Sequence, residues 1–574
     1  MKHHEHTLRL SRTACQLWML MTTIAIFSAT LYLMNMLRDS EIANGCFLSQ
    51  LQSSPLKKIS PKNDVVPQPA KNETLEKPKT VEIRKQNIKF MPHDKASILR
   101  QYLENGSTLC HHVPTARAHV FGLPHPAKGD ITLTTDEDHD LLIVSYAENG
   151  QRRCSGGDFY ETDLTGTQWK ARPPVQDLGD GTYLVKLRVD SRFPGSYQLK
   201  VILLFANLHG LDRSPDKWAM YNMTLEEPTL LVTVKFLNEP SPVMSTAAEF
   251  PPCSKKDFDH TSWQGRWTRT KMNETCNPDN HGRFKCLPAN ESCDSPWCTG
   301  PVGSLESDGW AYSTHCAFRI FTRDEAWSCL KDKWLFFWGD SNHQDTARNL
   351  LNFILGFDLA SLPRTSDQNY TNPENPSETV RISLVFNGHY DDRYNYKGLL
   401  SLQNATYRER LRSNFDHHTD SEGKIPDAMI LNSGLHDGIF WSNFTHFVEA
   451  AENASSFWHS TWAAADKDVH KRPKVVYRTT VAPAGAHRIT AINPQKVELM
   501  NTVLVDSFVS KFGLENLQIV DDFDMTFPWH YDKSYSDGEH YGRAPNAHSW
   551  IKGGHHYFVD LMLAHVHLNA ICPL

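Results

Sequence analysis

The chain has little net charge for its length: 59 Lys and Arg against 66 Asp and Glu leave −7 over 574 residues. Partners such as nucleic acids and other polyanions select a strong positive excess, so neither is indicated. Cys-x-x-Cys pairs are missing too, and although Cys293 and Cys298 lie close together the cysteines do not read as a zinc site. Residues 15–37 contain no charged side chain. The rest is ordinary for a globular protein, 40% hydrophobic and 22% charged, and the length implies two or three folded units rather than one core. Most of the 15 Trp fall beyond residue 250, where they fill a core or line a sugar or acyl cleft; core filling is the preferred reading.

The uncharged run sets the expected compartment. As a helix it would span roughly 34 Å at about 1.5 Å per residue, enough for a bilayer core. It outlasts the apolar region of a secretory signal, and no small-residue cleavage site follows. Lys2, Arg9 and Arg12 precede it, while Arg38 is followed by Asp39 and Glu41. These features predict a cytoplasmic tail over residues 1–14 and a transmembrane signal-anchor over 15–37. The chain is then a single-pass type II membrane protein of the Golgi or secretory lumen, with secretion as the alternative. Nine Asn-x-Ser/Thr sequons fit that side of the membrane: Asn72, Asn105, Asn222, Asn273, Asn290, Asn369, Asn404, Asn443 and Asn453. Eleven cysteines follow Cys15, seven of them between Cys253 and Cys329, and such bunching in an oxidising compartment predicts disulfides.

Residues 38–94 are rich in proline, lysine and polar residues, and read as an extended stem. Over 95–240, short β-forming runs alternate with Gly and Asp turns, which predicts an antiparallel β-sandwich. Tyr183, Val185, Leu187 and Val189 fall on one face of such a strand, with Leu184, Lys186 and Arg188 on the other. Asp180-Gly181-Thr182-Tyr183 and Pro194-Gly195-Ser196-Tyr197 resemble paired strands of filamin-type immunoglobulin-like repeats, and Cys110 and Cys154 are a candidate pair within this unit. Residues 253–330 form a Cys/Trp-rich lead-in with little periodicity, wrapped on the last domain. From 331 to 574, apolar runs at 333–338, 428–431, 475–479 and 517–520 alternate with helical spacing at 345–355 and 497–512. That is the pattern of a three-layer α/β domain with a parallel sheet.

The chemistry concentrates in that last domain. Trp338-Gly339-Asp340-Ser341 ends an apolar strand and enters a helix. A serine hydroxyl is a poor nucleophile until a base takes its proton. A tight strand-to-helix turn exposes Oγ and aims backbone N–H groups at a developing oxyanion. A plain helix start capped by Asp340 or Ser341 has the same local sequence. Near the C-terminus, Asp537-Gly538-Glu539-His540-Tyr541 offers His540 as general base and Asp537 as orienter of its ring. Asn387-Gly388-His389 and Asn432-Ser433-Gly434 each follow an apolar run, so Gly388 and Asn432 are candidate oxyanion donors. The tail also holds His548, His555, His556, His565 and His567; a metal site there is a lesser reading, and no metal is assigned.

The order of these blocks resembles the SGNH/GDS hydrolases. Residues 330–574 resemble the PC-esterase group more specifically, through Trp327-Ser328-Cys329-Leu330, Arg478-Thr479-Thr480 and Asp537-Gly538-Glu539-His540-Tyr541. Together the stem, the sandwich and the C-terminal domain resemble the neurexophilin and PC-esterase domain (NXPE) family over about residues 95–574. One departure is that Asn342-His343-Gln344 follows the serine where relatives often carry an arginine, with Arg348 later. The resemblance implies an SGNH-type serine acyltransferase or esterase, with Ser341 as nucleophile and His540 and Asp537 completing a triad. Gly388, Asn432 and the Ser341 N–H become the oxyanion donors. The implied reaction is O-acetylation, or its reversal, on a glycan or glycoconjugate, with no cofactor for the chemistry and acetyl-CoA as a candidate acyl donor. The alternative is a non-catalytic adhesion or ligand-binding glycoprotein that uses a degenerate esterase fold and meets an extracellular protein through the immunoglobulin-like unit.

Overall fold

The structure, a computed structural model, describes residues 99, 103, 114–123, 131–211, 229–238, 250–261, 263–269, 310–359, 361–387, 397–441, 443–483, 492–530, 539–542 and 558–572. The chain divides into two units, Met1–Ile88 and Lys89–Leu574, and every described residue belongs to the second. The expected tail, the segment 15–37 and the stem up to residue 94 lie outside the described residues, as do Cys110, Gly388, Asp537 and the sequon asparagines Asn72, Asn105, Asn222, Asn273 and Asn290.

Eleven strands precede the α/β part among the described residues: Thr115–Phe121 (β1), Ile131–Thr134 (β2), His139–Ala147 (β3), Phe159–Thr165 (β4), Trp169–Ala171 (β5), Val175–Asp177 (β6), Thr182–Leu187 (β7), Gly195–Phe205 (β8), Leu230–Leu237 (β9), Arg266–Arg269 (β10) and Trp310–Ser313 (β11). They form two sheets, ordered β1-β3-β7-β6 and β11-β10-β5-β4-β8-β9-β2, antiparallel except where β2 runs parallel to β9. Period-2 alternation is what brings the sheets together. Tyr183, Val185 and Leu187 of one sheet and Leu199, Val201 and Phe236 of the other are fully buried in a shared core, while Lys186 is exposed. Each such burial contributes roughly 1.5–3 kcal/mol.

The lead-in is more regular than its sequence suggests. Two of its four-residue segments, β10 and β11, extend the larger sheet, and Cys253 is joined to Cys316 across it. Its aromatics turn the other way, into the core of the α/β part: Trp267 Nε1 donates to the Met525 carbonyl at 2.8 Å, and the Tyr312 hydroxyl donates to Asp524 at 2.5 Å. Short strands with aromatic rather than alternating residues carry too weak a period to be read from sequence.

The α/β part contains Arg323–Leu330 (α1), Lys333–Gly339 (β12), Ser341–Asn349 (α2), Ser366–Thr371 (β13), Thr379–Phe386 (β14), Ala405–Ser413 (α3), Ala428–Leu431 (β15), Leu435–Phe440 (α4), Phe444–Ala465 (α5), Lys474–Arg478 (β16), Pro494–Phe512 (α6), Leu517–Val520 (β17), Asp522–Thr526 (α7) and Phe558–Ile571 (α8). One six-stranded sheet runs β13-β14-β12-β15-β16-β17. Strand β12 lies inside it, and its alternate residues serve opposite faces. Leu335 and Phe337 join the core that contains α8, whereas Phe336 and Trp338 join the core that contains α5 and α6. A disulfide from Cys329 to Cys572 ties the chain just before β12 to the end of α8.

Two expectations are corrected. The sheet is mixed rather than wholly parallel, because polar β13 folds back antiparallel onto β14 at the edge, where solvent satisfies its outer side. Among the described residues no helix is long and apolar enough to cross a membrane. The longest, α5, spans 22 residues but carries His446, Glu449 and Glu452 on its solvent side. A membrane-spanning helix is therefore not part of the described fold, and the single-pass type II placement that depended on it is corrected with it.

Candidate active site

Asp340 caps helix α2, its carboxylate accepting the Asn342 N–H at 2.9 Å. The cap role thus falls to Asp340, which leaves the next residue's hydroxyl uncommitted to the helix. Ser341 Oγ lies 2.7 Å from His540 Nε2, and both residues are buried. As the first residue of the helix, Ser341 has an N–H without an intrahelical acceptor, at the positive end of the helix dipole. The glycine of the motif has a steric reason: a Cβ on Gly339 would stand 2.0 Å from the His343 ring.

The other predicted residues divide. Asn432 sits just past β15, its N–H donating to the Trp338 carbonyl at 2.9 Å. Its side-chain amide donates to the Arg478 carbonyl at 3.1 Å and to Thr480 Oγ1 at 3.2 Å. Both donors of that amide are thus engaged with the chain at the end of β16. Asn387 links the neighbouring strands, its N–H donating to the Gly339 carbonyl at 2.9 Å and its amide to the Asn432 carbonyl at 3.0 Å. Cys154 is disulfide-bonded. Of the described sequon asparagines, Asn369, Asn443 and Asn453 are exposed and Asn404 is half-buried.

Three neighbours of the serine–histidine pair escape the sequence reading. The rings of His436 and Phe386 lie 5.2 Å apart, and Phe386 pairs with Gly339 across the sheet. Arg364, exposed at the rim, lies over the Phe386 ring at 4.9 Å. Burial pushes the His436 imidazole down to about 4, with Asp340 pulling the other way and His540 and Arg364 adding to the depression. His436 is therefore neutral at physiological pH. His436 lies two residues past Asn432-Ser433-Gly434, so a local signal stood beside it; Arg364 sits in a loop and had none.

Behind α2 is a second polar layer. Arg478 and Asp522 form an ion pair in which both side chains are almost wholly buried. The Arg478 guanidinium also reaches Thr346 Oγ1 at 3.2 Å, and Thr346 in turn donates to Asp560 at 2.7 Å. Burial, then the charges of Arg478 and His567, holds the His343 imidazole well below its ordinary range.

Chemically, the described arrangement is a buried hydroxyl paired with an imidazole at a helix N-terminus, at the end of an inner strand of an α/β sheet. Such a pair can pass a proton from hydroxyl to ring while the hydroxyl oxygen attacks an acyl carbon. Comparison with known proteins adds no family: no protein-family model matches the chain, and no curated protein matches it. Among solved structures the chain is similar to a “putative glycoside hydrolase” from Bacteroides vulgatus at 10% identity and a TM-score of 0.15, over 66% of this chain and 54% of that one. A likeness that slight carries no argument about fold or activity.

Proposed function

We propose that residues 331–574 carry a serine acyl-transfer site of the kind found in the neurexophilin and PC-esterase domain family, acting on an acyl group, acetyl in the first instance, at a glycan hydroxyl. The observation that carries the reading is the 2.7 Å contact between Ser341 Oγ and His540 Nε2 at the start of α2. His540 accepts the serine proton as Oγ bonds to the acyl carbon of an ester or thioester. When the intermediate collapses, the leaving oxygen or sulfur takes that proton from the imidazolium. The acyl-serine is then resolved by water or by a sugar hydroxyl, whichever the site holds near the acyl carbon. The Ser341 N–H at the helix end stabilises the oxyanion.

Asp537 as orienter and Gly388 as donor rest on the motif resemblance alone. Asn432 contributes through its side chain only if the amide leaves Arg478 and Thr480, so it is the weakest member of the assignment. Acetyl-CoA fits the reaction as a donor. The test is hydrolysis of p-nitrophenyl acetate, and transfer from acetyl-CoA to a free sugar, by the purified chain and its Ser341→Ala variant. Ser341→Ala is expected to lose at least about 10³-fold. An undiminished Ser341→Ala protein removes the nucleophile and leaves the binding-glycoprotein reading.

A further inference from the structure

The base-bearing segment 539–542 is held in a way that its short length does not require. Four consecutive residues are each anchored to the α/β part, and three of the four are held by the helix that begins with the nucleophile. Asn342 Nδ2 donates to the Glu539 carbonyl at 3.0 Å, one residue before His540. The His540 ring meets Ser341 itself. The Tyr541 hydroxyl donates to the Ala482 carbonyl at 2.8 Å. The Gly542 carbonyl accepts from Arg348 at 2.6 Å and from Asn349 at 3.1 Å. The 542 position admits no side chain, since a Cβ there would stand 2.3 Å from Asp560 and 2.7 Å from the Asn349 amide. Asn342 and Asn349 are seven residues apart, two helical turns, and so lie on one face of α2.

We infer that α2 is a jig for both members of the pair: Asn342, Arg348 and Asn349 position His540 by gripping the main chain on either side of it, while the same helix presents Ser341. The inference rests on the serine acyl-transfer reading. These are positioning residues, because each acts through the segment and none touches the reacting atoms. The departure noted in the sequence gains a role from this: Arg348, displaced by two turns from the serine, is a buried main-chain clamp. Fixing nucleophile and base on one rigid element makes their separation independent of motion elsewhere, and a misplacement of about 1 Å at such a pair can cost about 10²-fold in rate.

The test compares Asn342→Ala, Arg348→Ala, Arg348→Lys and Gly542→Ala with the wild type. The readouts are steady-state ester hydrolysis, the rate of Ser341 labelling by a fluorophosphonate probe, and the thermal midpoint. Asn342→Ala and Arg348→Ala are expected to lower kcat 10- to 100-fold with KM changed less than about threefold, and to slow labelling in proportion. Arg348→Lys should recover much of the loss, because its ammonium can still donate to the Gly542 carbonyl. Gly542→Ala should behave like the clamp variants, since the segment must move to admit its methyl group. A wild type that is not labelled at Ser341 ends the acyl-transfer reading and this inference with it. A labelled wild type whose Asn342→Ala and Arg348→Lys variants fold and react at the wild-type and Arg348→Ala rates respectively overturns the positioning role alone.

Discussion

At the scale of single residues, the site is a division of labour among neighbours of similar chemistry. Asp340 takes the cap, which leaves the Ser341 hydroxyl to His540. If the two act as one catalytic unit, Ser341→Ala and His540→Ala each abolish nearly all ester hydrolysis, and the double variant is no worse than either. Additive losses in the kinetics of the three proteins would mean that they work apart, and would make His436 the next base to test. For Asn432 the structure changes the expectation from catalysis to stability. Its amide spans from β15 to the end of β16, and both of its bonds are buried. Asn432→Ala should lower stability by about 2 kcal/mol in chemical denaturation, the cost of leaving buried acceptors unpaired. An unchanged midpoint would return Asn432 to the oxyanion role. The serine, the histidine and the asparagine were all legible as motif residues, but a motif cannot say which of an amide's neighbours it will face.

At the scale of elements, strand β16 and helix α7 are joined by charge. Arg478 ends the strand, Asp522 begins the helix, and water reaches neither. Removing one partner leaves a buried charge uncompensated, so Asp522→Ala should cost about 3–5 kcal/mol. Replacing both at once, as Arg478→Met with Asp522→Leu, should cost clearly less, because no charge remains to be desolvated. Denaturant midpoints of the single and double variants check this; equal losses would mean that the pair is held by more than its charges. The sequence displayed Arg478-Thr479-Thr480 as a family-like block without a reason for it. The reason lies in the side-chain layer behind α2, assembled from β16, α7 and α8, which are far apart in the chain.

At the scale of the whole molecule, the sandwich and the α/β part meet over buried polar contacts. The Arg172 guanidinium lies 3.9 Å over the Phe527 ring and pairs with Glu498 at 2.9 Å, and Glu161 faces His530 at 3.1 Å. Asp524, in α7, anchors the lead-in by accepting from Tyr312 and from the Gly265 N–H. Burial, reinforced by the charge of Asp521, pushes its carboxyl up to about 7 from an ordinary 3.8. The folded state then keeps a proton that the unfolded state releases near pH 4. This contribution is fully present below about pH 4 and is lost as pH rises through 7. Asp524→Asn keeps the acceptor and removes the ionisation, so it should stabilise the chain at pH 8, by up to a few kcal/mol, and have little effect at pH 4. Thermal midpoints across that range test it; a difference that does not vary with pH would show that Asp524 does not titrate there.

The sequence by itself determined what depends on short-range pattern. Period-2 alternation marked Tyr183, Val185 and Leu187 as a buried face, because side-chain direction in a strand repeats every two residues whatever surrounds it, and short, mostly apolar runs marked β12, β15 and β17 as buried strands. It also singled out Ser341, since a turn glycine and a capping aspartate announce a strand-to-helix junction, and His540, three residues after Asp537. Only the tertiary structure decided what depends on partners distant in the chain. The 2.7 Å meeting of residues 199 positions apart, the absorption of β10 and β11 into the sandwich, the antiparallel edge strand β13 and the clamp on residues 539–542 all belong to this class. None has a local period or composition of its own. Each arises because packing two faces of one sheet brings together groups that neither propensity nor spacing relates.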